Sequence, residues 1–410
     1  MASNIQRRPN ASDHITAASE IIGGNEELVV EILQRLPAKS LIRLKSVSKT
    51  WLSLISSRRF SLLLWQQQNR RRRHPKISGL FCSCGYVGEI DYIPTMDSEN
   101  KKSLTQFPDF SSGESGEWHT KIIDSCSGLL LICCLCLAKP GYDSYHVYNP
   151  TTKQFSTLPR PFPQSCLTRS LNLAFDPLKS LHYKVVLLQS QNKVETSLYI
   201  YSSETNAWSS PFADPFSELD RDVDGVYCNG SIHWISLRPN EASFYFDVDK
   251  EILCPMPSPQ CPGRCMHQHF GESRGHLHFL SYHPNAGFKV SVSEMERDYS
   301  KWSLKYRVNL EVMVDFVSRD MIVQGALSVI SLIHGEYGDC LAFHGEKKKE
   351  KKDLFLLLFL GANMIISYNI KDNTFKKLHD VVPGPHSNAD ELLGLLSCHV
   401  HPYIETLFPV

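Results

Sequence analysis

The apolar positions of this chain follow two periods. Between residues 25 and 65 they recur every three or four residues: Leu28, Ile32 and Leu36 with Val29 and Leu33 beside them, then Leu41, Leu44 and Val47, then Trp51, Leu54 and Ile55, then Phe60, Leu63 and Leu64. That spacing predicts short amphipathic helices. Asn25, followed by Glu26 and Glu27, suits an N-cap and an acidic first turn. Pro37 stops the first helix and can open the second; Ser48 can cap the third. From residue 79 the pattern changes to brief apolar runs divided by polar turns, which predicts strands.

The strand region repeats. "VYNPTTKQF" (147–155), "IYSSETNAW" (200–208), "YFDVDKEIL" (245–253) and "SYNIKDNTF" (367–375) superpose without gaps. Each runs from an aromatic strand end through Asn, Asp or Ser and a polar turn to a bulky residue. Asn and Asp favour such turns because their side chains bond the backbone just ahead. A looser copy, "VSEMERDYSKW" (292–302), places Val292 at the aligned position. Tyr148, Tyr201 and Phe246 are 53 and 45 residues apart, Val292 follows by 46, and Tyr368 by 76 across the charged insertion "GEKKKEKKD" (345–353). A second signature, glycine then an apolar strand, precedes several copies: "SGLLLICC" (127–134), "NGSIHWIS" (229–236) and "RGHLHFLS" (274–281).

Repeats of about 45 residues with four short strands each predict a β-propeller. A sandwich pair has no reason to repeat its turn chemistry at this period, and a β-helix would repeat at shorter intervals. The length of 79–410 divides into about seven units, with six equally acceptable if loops are long. The C-terminal "LLGLLSCHVHPYIETLFPV" offers a last strand to pair with the first, "KISGLFCSCG" (76–85), which would remove the open edges.

Composition changes the picture in three ways. The 410 residues, 42% apolar and 21% charged, exceed what one core usually supports. Net charge is zero, yet residues 1–78 hold 14 Lys/Arg against 5 Asp/Glu, a net of +9, which leaves −9 for the rest. A basic head on an acidic body implies different partners for each. Thirteen cysteines, an odd number, with a polar opening and no secretory segment, predict free thiols in a reducing compartment. The longest apolar runs, Gly128–Ala138 and Leu354–Met364, are far short of the ~20 residues that span a membrane.

A head of about 40 residues carries more apolar side chains than it can bury alone, so the surplus reads as an interface. The string "ELVVEILQRLPAKSLIRLKSVSKTWLSLISSRRF" (27–60) resembles an F-box, the motif that docks on the Skp adaptor of cullin ubiquitin ligases. It departs from that pattern by lacking the Leu-Pro pair at its start and by placing Ser48 where cysteine is commoner. The resemblance implies that Leu28, Ile32, Leu33, Leu36, Pro37, Leu41, Val47 and Trp51 lie at the adaptor interface or directly behind it. Arg35, Lys39, Arg43, Lys45 and Lys49 would steer an acidic partner. The body, through "VYNPTTKQFSTLP" and "HPYIETL", resembles the kelch-like F-box-associated region of plant F-box proteins.

The resulting expectation is a multidomain α+β chain: a disordered N-terminus (1–22), a short helical F-box (23–65), a basic linker (66–78) and an all-β propeller of about six to seven blades (79–410). It would be a non-catalytic substrate-recognition subunit of a Skp–cullin–F-box ubiquitin ligase, binding a target protein through the propeller. The rival reading is a propeller with its own small-molecule or glycan ligand, a hydrolase among the options. The linker run Arg70–Arg73 reads first as solvated chain, second as a nuclear-import signal, and last as a nucleic-acid contact. A nuclear or cytoplasmic location follows.

Candidate chemistry is sparse. "CPGRCMHQH" offers Cys261, Cys265, His267 and His269, but without paired ligand spacing, so a loop entering a strand is favoured over a metal site. Cys82, Cys84, Cys133, Cys134 and Cys136 sit in apolar strands as small hydrophobes. His276 and His278 fit a strand pattern and read as structural or surface groups. No phosphate loop, nucleophile elbow or dinucleotide fingerprint is present, and no cofactor is expected.

Overall fold

The computed structural model describes residues 25–69, 77–84, 90–94, 107–110, 118–136, 143–160, 167–190, 196–209, 212–213, 224–237, 243–260, 267–283, 289–313, 327–334, 354–360, 364–380 and 398–410. The polar N-terminus, Arg70–Arg73, Cys261, Cys265 and the 345–353 insertion lie outside them.

Four helices open the chain: α1 (Glu26–Leu33), α2 (Ala38–Leu44), α3 (Lys49–Ser56) and α4 (Arg58–Asn69). Asn25 caps α1, its side-chain oxygen accepting from the backbone of Glu27 and Leu28, and Ser48 caps α3 by accepting from Trp51 N. Pro37 sits one place earlier than expected. Its ψ of 150° is extended, so it precedes α2 and only its carbonyl joins the helix, accepting from Ser40 and Leu41. The core of this head is Val29, Leu33, Ala38, Leu41, Ile55, Phe60 and Leu64.

Six antiparallel sheets follow. The first blade unites the chain's two ends: β1 (Gly79–Cys84) pairs with β2 (Ile90–Pro94) on one side and with β24 (Cys398–Tyr403) on the other. The second blade is β3 (Trp118–Cys126), β4 (Leu129–Cys136), β5 (Ser144–Asn149) and β6 (Gln154–Thr157). The third is β7 (Leu167–Ala174), β8 (Lys184–Ser190), β9 (Thr196–Ser202) and β10 (Ala207–Trp208), with the short β11 (Phe212–Ala213) also on β9. The fourth is β12 (Val226–Cys228), β13 (Ser231–Trp234), β14 (Ser243–Asp247) and β15 (Ile252–Met256). The fifth is β16 (His267–Ser273), β17 (His276–His283), β18 (Lys289–Met295) and β19 (Trp302–Asn309). The sixth is β20 (Leu327–His334), β21 (Leu354–Leu360), β22 (Met364–Asn369) and β23 (Thr374–Asp380).

The leading strands close a ring: β3 touches β7, then β12, β16, β20 and β24 follow in turn, and β24 touches β3. This is a six-bladed propeller, the smaller of the two expected counts. The pairing of β24 with β1 realises the closure predicted from the terminal segments.

The turn chemistry explains the repeats. Tyr148, Tyr201, Phe246 and Tyr368 all lie buried in the third strand of their blades, each facing the bulky residue that opens the fourth strand: Phe155, Trp208, Leu253 and Phe375. Between them the chain turns through a left-handed residue, namely Lys153, Asn206, Glu251 or Asn373. Asn149, Asp247 and Asn369 accept hydrogen bonds from backbone N–H groups two residues ahead, as expected of Asx turns. The fifth copy is displaced. Met295, not Val292, faces Trp302, seven positions on as in the other copies, so the hairpin closes three residues later; the bulge between Val292 and Ser293 lies beyond Met295, away from the turn. The glycine signature corresponds to two-residue hairpins. Ser127–Gly128, Asn229–Gly230 and Arg274–Gly275 have positive φ at both positions, the geometry that best matches strand twist.

These hairpins differ in their surroundings. A Cβ on Gly128, at φ +87°, would strike the Thr406 side chain and the Ile404 carbonyl, whereas one on Gly230 would meet chiefly the mobile end of Lys179. Gly230→Ala should therefore cost only the left-handed strain of about 1–2 kcal/mol. Gly128→Ala should cost about 3 kcal/mol or more, because a rigid backbone must also move. Denaturant unfolding of the two variants checks the order.

Candidate functional site

The head's amphipathic helices sort the eight candidate residues. Leu33 and Leu41 are fully buried and hold the bundle together, and Leu36 and Trp51 are half-buried against the same core. Pro37 is exposed, and so are Leu28 at 43%, Ile32 at 46% and Val47 at 58% relative exposure. The division follows from helix geometry. In α1 the stripe of Val29 and Leu33 faces inward, and the neighbouring stripe of Leu28 and Ile32, also four apart, faces solvent. Leu52, at 47% exposure, belongs with the outward set although sequence reasoning omitted it. The signal was present, since Leu52 lies off the Trp51–Ile55 stripe that turns inward.

The outward surface is therefore apolar at Leu28, Ile32, Val47 and Leu52, with Pro37 between the first two helices. The same helical head carries basic groups. Arg43 and Lys49 are exposed. Arg35 pairs with Glu31 at 3.2 Å one turn earlier, an exposed pair of small energetic weight. Partial burial lowers the pKa of Lys45.

Among its described residues the propeller shows no comparable surface. His278 is buried with Nε2 3.2 Å from Glu294, and His276 lies 3.6 Å from the same carboxylate, so both serve the fifth blade. A recess lined by His269, Gly271, Glu272, Ser273, His278 and Leu280 is too tight for a ligand. Burial pushes His269 down to about 4 and raises Glu272, whose Oε1 accepts from Gly275 N at 2.6 Å. Among the described residues no group of three or more His, Cys, Asp or Glu is placed to hold a metal ion. Cys82, Cys126, Cys133, Cys134, Cys136 and Cys228 are free, buried thiols, and burial raises the pKa of Cys82, Cys126, Cys133, Cys134 and Cys228. Among the described residues no helix is long and apolar enough to cross a membrane.

Comparison with known proteins agrees with this geometry. The F-box domain family matches residues 25–63, and the family described as F-box protein At3g26010-like, beta-propeller, matches residues 90–322. The chain belongs to this family of propeller-bearing F-box proteins. Among relatives of this F-box protein, F-box protein At5g07610 of Arabidopsis thaliana is 28% identical over 391 residues, covering 89% of the chain and 87% of the relative. F-box/kelch-repeat protein At3g23880, also of Arabidopsis thaliana, is 25% identical over 322 residues, covering 75% and 85%.

Proposed function

We propose that this F-box protein is a substrate-recognition subunit of a Skp–cullin–F-box ubiquitin ligase. One observation carries the reading: the head's core is filled, Leu407 supplying its last side chain, yet Leu28, Ile32, Val47 and Leu52 remain exposed on the head. An apolar surface left over by a filled core is what a partner would cover. The F-box family match supports the Skp adaptor as that partner, and a cullin would follow through the adaptor. The chain would supply proximity, bringing a target lysine near a charged ubiquitin-conjugating enzyme, and would contribute no bond-making group.

Topology supports where the target would bind. In each four-stranded blade the first-to-second and third-to-fourth connections leave at one face. The turns at Ser127–Gly128 and 150–153 lie on that face, and the C-terminal segment that meets the head packs against both. The fourth strands of these blades end, and the first strands of the next blades begin, at the opposite face. Loops carried on a rigid scaffold are suited to recognition, and this placement would hold a target away from the adaptor.

The test is capture of a purified Skp adaptor by the full-length chain, followed by recruitment of a cullin. Failure to bind any Skp adaptor would overturn the reading and favour a propeller with its own ligand. For location we propose the nucleus together with the cytoplasm, on the strength of the Arg70–Arg73 run. Replacing those four arginines by alanine should deplete the nuclear pool in imaged cells, and an unchanged distribution would leave the run a linker.

A further inference from the structure

The last eight residues reach three parts of the molecule in one pass. Tyr403 ends β24; its ring meets Phe81 edge-on at 5.3 Å and its hydroxyl bonds Thr151 Oγ1 at 2.6 Å. The chain then lies along the turn between β5 and β6. Asn149 Nδ2 donates to the carbonyls of Thr406 at 3.2 Å and Phe408 at 2.8 Å, while Thr406 N donates to Thr151 Oγ1 at 3.1 Å. Glu405 N donates to Ser78 Oγ at 3.3 Å.

Beyond Thr406 the side chains divide between two cores. Leu407 enters the head, packed with Val29, Leu33, Ile55, Phe60 and Leu64, and its carbonyl accepts from Ser61 Oγ at 3.0 Å. Phe408 turns into the propeller against Phe175 at 5.1 Å. Trp65 of α4 comes down to meet it at 5.8 Å, edge to face, and so joins the propeller core. Arg58 adds a bond from Nη1 to the Leu181 carbonyl of the third blade. The head thus lacks one core side chain of its own and takes it from a residue 343 positions past Leu64.

We infer that residues 404–410 form a strap that fixes the F-box on the propeller, with Leu407 and Phe408 as its positioning residues and Asn149 as its clamp. Ring closure does not need them, because β24 finishes its pairing with β1 at Tyr403. Without the strap the Arg58 bond and Trp65 would remain, but Trp65 would lose the Phe408 ring it packs on; a strapped head presents whatever the propeller holds at a fixed direction. The benefit for ubiquitin transfer rests on the ligase-receptor reading, since a held orientation raises the effective concentration of an acceptor lysine. The strap itself does not depend on that reading.

The experiment places a recognition site for a sequence-specific protease between Arg70 and Lys76 of the full-length chain, cleaves it, and follows both fragments by size exclusion. In the otherwise unchanged protein the head is expected to co-elute with the propeller after cleavage. The pair Leu407→Asp with Phe408→Asp should lose that co-elution, and a chain ending at Thr406 should lose it without adding buried charge. Leu407→Met with Phe408→Leu should restore it, which separates a packing contact from a demand for those residues themselves. In the Asp pair and the shortened chain the propeller should keep a single cooperative melt. Separation of the cleaved but otherwise unchanged protein, or co-elution with the shortened chain, would overturn the strap. Skp capture by the uncleaved chain reads the ligase proposal separately, and its failure would leave the co-elution result standing.

Discussion

Leu28→Asp combined with Ile32→Asp is expected to abolish capture of the Skp adaptor while the chain still melts as the unaltered protein does. Both side chains are almost half exposed, so neither contributes much to the bundle, and a carboxylate at either place stays in water. In a complex the same carboxylates would be driven into an apolar contact. Truncating a central interface side chain typically costs ~2–4 kcal/mol, and burying a charge costs more. Affinity should fall by roughly 1000-fold or more for the pair. Leu33→Asp is the contrasting variant. Leu33 is fully buried beside Leu41 and Leu407, so that change should unfold the head and lose adaptor binding together with a thermal transition. Leu36 with Pro37 makes a poorer test pair, because Leu36 is half-buried in the head's own core and its loss would mix folding with binding. Adaptor binding by the Leu28/Ile32 pair at wild-type strength would remove the outward stripe from the interface.

The elements legible in the sequence are those governed by neighbours a few residues apart. The N-caps at Asn25 and Ser48 depend on a local pattern and formed as read, and the glycine signature, equally local, marks the hairpins at Ser127–Gly128, Asn229–Gly230 and Arg274–Gly275. The four aligned aromatics fall at one place in their blades for the same reason. Val292 fails because the fifth hairpin closes three residues later, and with apolar residues at both Val292 and Met295 the pattern does not say which of them faces Trp302. Sorting the eight head residues required knowing which stripe of α1 faces the core, and a helix with two adjacent apolar stripes does not say. Leu407 was illegible on principle. "VYNPTT" and "HPYIETL" each suggested a family, but nothing in either string shows that Asn149 and Thr151 grip Thr406 and Phe408. That contact is set by ring closure, which brings together residues 255 to 259 positions apart.

Acid should unfold the propeller well above the pH at which most carboxylates are protonated. Besides His269, held at about 4, three further histidines have imidazoles that burial holds down. His146 is tucked beside Phe110 at 4.8 Å and bonded to Ser144 and Thr157; burial holds it down to about 4. His233 bonds the Val226 carbonyl through Nδ1 and the Tyr299 hydroxyl through Nε2, and burial again holds it to about 4. His401, on the ring-closing strand, is held to about 3 by burial and by His399 beside it. In each case the folded value lies below the unfolded 6.5. Between the two values the unfolded chain binds more protons, so the stabilising share is complete above 6.5 and is lost as pH falls toward 4. Asp124 works the other way. It accepts from Leu173 N and Ser125 N between the second and third blades, and burial lifts it from 3.8 to about 7. The folded state therefore keeps a proton there that the unfolded chain has released, which offsets one histidine between about pH 4 and 7. With His269 there are four such uptakes, against proton retention at Asp124 and at Glu272, which burial also raises; the net is about two protons, or about 2.7 kcal/mol per pH unit near pH 5. A domain stable by ~5–15 kcal/mol cannot lose that for long, so denaturant midpoints should fall steeply between pH 6.5 and 4.5. His146→Phe, placed among Phe110 and Phe155, should cut the slope by about 1.4 kcal/mol per pH unit. A midpoint unchanged from pH 7 to 5 would show that these imidazoles titrate as freely in the folded protein as in the unfolded chain.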